Sequence, residues 1–147
     1  MTASNQVETV SSTPAPAADT LAGVRVMIID DSATIRRSAE IALKQAGCIV
    51  ILAEDGFDAL AKIVDHQPDI IFMDIMMPRL DGYATCTMLK RNAKFRDTPV
   101  IMLSSKDSVF DQARGRLAGA NEYLIKPFTR QSLLQSLAAH VTPTAKE

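Results

Sequence analysis

The chain has 147 residues and a formal net charge of −1. That length suits one domain with its own core, and the charge gives no global pull toward nucleic acid or an anionic membrane. No apolar run approaches the roughly 20 residues that span a bilayer, so no membrane insertion is expected.

The first 22 residues are rich in Ala, Thr, Ser and Pro, with only Glu8 and Asp19 as charges. They lack the basic and apolar regions of a secretory signal and read as a flexible tail. Residues 23–141 read as the domain and 142–147 as a short C-terminal tail. The two cysteines, Cys48 and Cys86, form no close-spaced metal or redox motif. They read as reduced, buried thiols of a cytoplasmic protein.

Residues 24–29 (VRVMII) form an apolar strand broken only by Arg25, ending in Asp30-Asp31-Ser32. A helix follows, with Ile35, Ala39, Ala42, Leu43 and Ala46 on one stripe, and Gly47 stops it. Residues 48–53 (CIVILA) are a second strand, and Glu54-Asp55-Gly56 a turn. Residues 58–66 read as a short helix that turns Leu60, Ile63 and Val64 inward. The run Ile70-Ile71-Phe72-Met73 then leads straight into Asp74. A short, unbroken apolar run reads as a strand buried on both faces, the central kind of a parallel sheet.

Asp81-Gly82 opens a helix that runs to about Asn92. Pro99 starts the strand 100–103, which ends in Ser104-Ser105. A helix over 108–118 precedes the short strand 122–125 (EYLI), which ends at Lys126-Pro127. The last helix, 130–140, buries Leu133, Leu134, Leu137 and Val141. Strands alternating with helices mean an α/β fold, with right-handed crossovers covering both faces of a parallel sheet. For five such units the flavodoxin-like doubly wound order 2-1-3-4-5 is the natural expectation.

In that order the chemistry collects at one edge. Asp30-Asp31, Asp74, Ser104 and Lys126 all stand at carboxyl ends of strands, where open α/β sheets bind ligands. Taken singly, each could be a helix cap or a solvated loop residue; together they form a site. Crowded carboxylates repel one another, and a hard divalent cation relieves this. A lysine and a hydroxyl beside such a cation suit a phosphoryl group, and a carboxylate can accept one as a nucleophile.

The set Asp30-Asp31, Asp74, Ser104 and Lys126-Pro127 resembles the receiver domain of bacterial two-component response regulators, over about residues 24–141. The resemblance implies Asp74 as phosphoacceptor, supplied by a histidine kinase. It implies Mg2+ held by Asp30, Asp31, Asp74 and the backbone carbonyl of Met76. It also implies Ser104 as switch hydroxyl, Lys126 as phosphate-binding lysine, Tyr123 as switch aromatic and a cis peptide between Lys126 and Pro127. The only chemistry implied is Mg2+-dependent transfer of phosphate to Asp74 and its hydrolysis, so the protein is not expected to be an enzyme in the usual sense.

The segments DGFDALAKI (55–63), DIMMPRLDGY (74–83) and PVIMLSSKD (99–107) are similar to the single-domain regulators of type IV pili and twitching motility. The implied output is a protein, of the pilus machinery in that subfamily, bound through the fourth helix, fifth strand and fifth helix. Ser104 departs from the commoner Thr, keeping the hydroxyl and losing a methyl.

Other readings stay open. A pseudo-receiver would bind partners without phosphorylation. An Asp-nucleophile phosphatase would need a general acid at Met76, which cannot transfer a proton. A flavodoxin would place a phosphate against Asp30 and Asp31. No DNA binding is expected, since about seven residues follow the last helix and no helix-turn-helix module fits there. The basic cluster Lys90, Arg91, Lys94 and Arg96 reads as a solvated helix end.

Overall fold

The computed structural model describes residues 21–105 and 109–141. Most of both expected tails, 1–20 and 142–147, lies outside the described residues, as does the start of the helix placed at Ser108. The elements are β1 (Arg25–Ile29), α1 (Ala33–Gln45), β2 (Ile49–Ala53), α2 (Gly56–His66), β3 (Ile70–Asp74), α3 (Gly82–Arg91), β4 (Val100–Ser104), α4 (Val109–Leu117), β5 (Glu122–Ile125) and α5 (Arg130–His140). The five strands form one parallel sheet in the order β2-β1-β3-β4-β5. The expected doubly wound fold is present.

Strand alternation divides the core into two layers. Val26 and Ile28 of β1, Ile70 and Phe72 of β3, and Ile101 and Leu103 of β4 pack with α1 and α5. Their neighbours Met27, Ile29, Ile71, Met73, Val100 and Met102 pack on the opposite face with α2 and α3. All five residues of β3 are buried, as expected of the central strand.

Local chemistry fixes the helix starts. Ser32, Asp55, Asp81 and Thr129 each cap a helix through a side-chain oxygen that accepts a backbone N–H. The Asp55 cap begins α2 two residues before the expected start. At the other end of α1, Gly47 takes φ +91°, a left-handed turn that glycine adopts freely.

Two packing expectations need correction. Val64 is 53% exposed; the inward stripe of α2 is Gly56, Ala59 and Ile63, with Leu60 half-buried. Val64 lies about 100° round the helix from Ile63 and so leaves the stripe. Leu21, assigned to the flexible tail, is fully buried in the α1/α5 layer, and its carbonyl lies 3.7 Å from the Cys48 thiol. One apolar residue after a polar stretch carries no periodicity, so nothing local marked it. Both cysteines are free and buried, as expected, and burial pushes each thiol up to about 11.

Leu21→Ala is therefore expected to cost about 2–5 kcal/mol, the usual range for emptying a buried leucine site. Urea denaturation of the full-length variant beside wild type measures this directly.

Candidate functional site at the carboxyl edge of the sheet

Strand register assembles the site. Ile29 pairs with Met73, which sets Asp30 level with Asp74. Asp74 pairs with Leu103, one residue before Ser104, and Ser104 pairs with Ile125, one residue before Lys126. Four strands thus deliver Asp30, Asp74, Ser104 and Lys126 to adjoining positions. Sequence reasoning named all four, and the fold brings them together.

Asp30 is fully buried and Asp74 is 4% exposed. Lys126 reaches past β4 to both, its Nζ 2.8 Å from Asp30 Oδ2 and 3.2 Å from Asp74 Oδ1. Asp30 is held at every polar group. Its N–H donates to the Ala53 carbonyl at 3.2 Å, and its carbonyl accepts from Arg36 Nη1 at 2.7 Å. Its Oδ1 accepts from the Ser32 N–H at 2.9 Å. Its buried Oδ2 has no aligned hydrogen-bond donor and meets the Lys126 ammonium as an ion pair.

The electrostatics follow from this crowding. Burial, and then the Asp30 charge, push the Asp74 carboxyl up to about 6, against the pull of Lys126 and the Met76 N–H. Burial alone would lower the Lys126 ammonium, but Asp30 and Asp74 outweigh it and hold it above its ordinary value. Asp31 is exposed, yet carboxylate oxygens of Asp30, Asp31 and Asp74 lie within 4.8 Å of one another. Three oxygen donors, two buried and one reachable from solvent, fit a hard divalent cation such as Mg2+.

The loop after β3 folds back against the site. Asp74 Oδ1 accepts from the Met76 N–H at 3.3 Å, and the Gly82 N–H returns to the Ile75 carbonyl at 2.9 Å. A Cβ on Gly82 would overlap the Asp74 carbonyl, so this close approach requires glycine. A cavity of about 640 Å3 opens beside the acids, lined among others by Asp31, Met76, Asp81, Tyr83, Ser104 and Arg114. Ser104 is 4% exposed at its inner end.

Tyr123 is half-buried and lines a separate groove with Gln112, Gly115 and Arg116 of α4. The Lys126–Pro127 peptide is cis.

Sequence reading missed Arg36, whose contact with Asp30 is made six residues along the chain. It also missed Tyr83 and Arg114, which meet only in the folded chain. Within the basic cluster, Lys90 is not a solvated end. Its ammonium donates to the carbonyls of Thr98 at 2.6 Å and Arg96 at 3.1 Å and tethers the loop before β4.

A doubly wound sheet carrying buried acids and a lysine at its switch point is the architecture of a signalling receiver. Residues 26–138 match the response regulator receiver domain, and the chain belongs to that family. Receiver domains are signalling switches rather than classical enzymes. The chain is 63% identical to the protein PilG of Pseudomonas aeruginosa over 119 residues, 81% of this chain and 88% of PilG.

It is 38% identical to the response regulator MprA of Mycobacterium sp. (strain KMS) over 124 residues, 84% of this chain but 53% of MprA, so it spans about half of that relative. Among solved structures it resembles the chemotaxis protein CheY4 of Vibrio cholerae, with a TM-score of 0.79, 32% identity, and coverage of 82% of this chain and 100% of that one. No described helix is long and apolar enough to cross a membrane.

The raised Asp74 carboxyl predicts a pH dependence. Its folded-state value, about 6, lies above the ordinary 3.8. The folded, metal-free chain therefore binds this proton more tightly than the unfolded chain does. That contribution to stability is full below about pH 4 and is lost as pH rises through about 6. In EDTA, wild type is expected to lose stability relative to Asp74→Asn between pH 4 and 7. Parallel denaturation series at several pH values measure the difference.

Proposed function

We propose that this protein is a phosphorylation-controlled switch of a chemotaxis-like phosphorelay. It accepts a phosphoryl group on Asp74 from a histidine kinase and reports that state to a protein partner. The observation that carries the reading is the pairing of Asp74 with Lys126 at 3.2 Å, beside a buried second acid and an open cavity. An ion pair kept only for stability would not need Asp30 and Asp31 crowded against it, since like charges there oppose folding.

In the transfer, an Asp74 carboxylate oxygen forms a bond to phosphorus while the bond from phosphorus to the donor nitrogen breaks, its electron pair returning to the imidazole. Lys126 stands where it neutralises charge on the transferred group. Asp30, Asp31, Asp74 and the Met76 carbonyl are the proposed Mg2+ ligands. When bound, the ion neutralises the acids and the phosphoryl oxygens. Asp30, fixed at all its polar groups, holds its side of the site without rearrangement.

Ser104 is the proposed reader of the new phosphoryl oxygens. Drawing its hydroxyl inward moves the β4–α4 connection and frees space for Tyr123 to leave its groove against α4. The surface of α4, β5 and α5 then changes for a partner, which requires only a few kcal/mol between two states. The motif segments and the identity to PilG support a place for this switch in the cytoplasmic control of type IV pili and twitching motility.

Incubation with acetyl phosphate and Mg2+ is expected to add one phosphoryl mass to wild type and none to Asp74→Asn. Equal incorporation in both by intact mass spectrometry would sink the assignment. In a separate Mg2+ titration, Asp31→Asn should bind at least about tenfold more weakly, because the amide keeps an oxygen but loses the charge that attracts a hard cation. Unchanged affinity would move the metal elsewhere.

A further inference from the structure

Among the described residues, helix α4 meets the rest of the fold through a small set of contacts. Of its residues whose burial is described, Gly115 is buried and Asp111, Gln112 and Ala113 are half-buried, while Val109 and Leu117 are 80% and 88% exposed. Surface helices are ordinarily seated by an apolar stripe. Among the described contacts of this one are Met102 of β4, beside Gly115, and two tyrosines. Tyr123, from β5, lies along Gly115. Tyr83, from the first turn of α3, reaches the helix by another route.

Tyr83 is 7% exposed. Its hydroxyl donates to the Asp111 carbonyl at 3.2 Å. The Arg114 guanidinium carbon lies 4.3 Å above the ring centre, within the range of a cation–π contact. The same ring lines the cavity that Asp31 and Ser104 share. One side chain thus touches the acidic cavity on one side and the first turns of α4 on the other. Burial, and then the Asp111 charge, push the phenol up to about 12, so it remains a hydrogen-bond donor at neutral pH.

We propose that Tyr83 is a positioning residue that ties α4 to the acidic cavity and holds the helix in its resting place, with Arg114 as its clamp. Displacing α4 requires the hydrogen bond to Asp111 and the Arg114 stack to part. This tie runs from α3 to α4 without passing through Ser104 or β5, so it is distinct from the Tyr123 route. It rests on the receiver reading only for what movement of α4 signals.

A tyrosine that merely fills space would be replaced by phenylalanine without consequence, and that decides the experiment. In hydrogen exchange on the full chain, Tyr83→Phe is expected to raise exchange across 109–117 by about 2- to 10-fold, the span of one typical hydrogen bond, and to leave α1 and β3 unchanged. Arg114→Gln is expected to act in the same direction. Exchange of α4 equal to wild type in Tyr83→Phe would overturn the proposal.

A second measurement tests the tie to the cavity. The initial rate at which acetyl phosphate and Mg2+ label Asp74 is expected to rise in Tyr83→Phe by a similar factor, since the resting state has lost its anchor. An unchanged rate beside faster α4 exchange would overturn the coupling. If wild type takes no label at all, the receiver reading fails, and the exchange measurement still decides whether Tyr83 anchors α4.

Discussion

Two carboxylates, Asp30 and Asp74, lie almost out of solvent, and among the described residues a single ammonium, that of Lys126, lies between them. Charges in such surroundings are costly unless paired and hydrogen-bonded. Burial, and then the Asp30 charge that one lysine offsets only in part, set the Asp74 carboxyl near 6 rather than near 4. The site therefore carries an unmet demand for positive charge. The rest of the structure can be understood as what holds that demand in place. A rigid parallel sheet fixes the strand ends, and a set of backbone bonds prevents Asp30 from turning away.

The sheet is suited to this because its centre is insensitive to the site. β3 is buried along its whole length, and its neighbours split their apolar side chains between two layers. Register in a strand buried on both faces is strongly specified, since a slip of one residue exchanges the two layers. The same register that packs Phe72 against one layer and Met73 against the other aligns Asp74 with Asp30. Packing the core and building the site are one act. The charge balance at the edge can then change without rebuilding the core.

What can respond is the part that the core does not hold. α1 and α5 are seated by buried leucines, whereas among the described residues of α4 only Gly115 is buried, beside Met102 and Tyr123, and Tyr83 bonds to its first turn. A helix placed by a few polar and aromatic contacts moves at small cost, as the elements that move in a switch must. The stable and the movable parts of the molecule are therefore separated by where apolar area is buried.

The strand ends were legible from sequence because a buried parallel strand announces itself as an unbroken apolar run, and the residue that follows must lie at the carboxyl edge. Asp30, Asp74, Ser104 and Lys126 could be placed together on that ground. Contacts made side by side across elements left no such trace. Val64 is apolar yet exposed, because α2 buries only the stripe through Ala59 and Ile63. Leu21 joined the core from a stretch without periodicity.

Lys90 was one of four basic residues within seven positions until the fold brought two carbonyls to it. Tyr83 met Asp111 across 28 residues of chain, and Arg114 a turn further on. The sequence by itself determined the sheet, its edge and the chemistry collected there, because those follow from periodicity along the chain. Only the tertiary structure decided which side chains tie α4 to the site, because that depends on groups that become neighbours only after the sheet has formed.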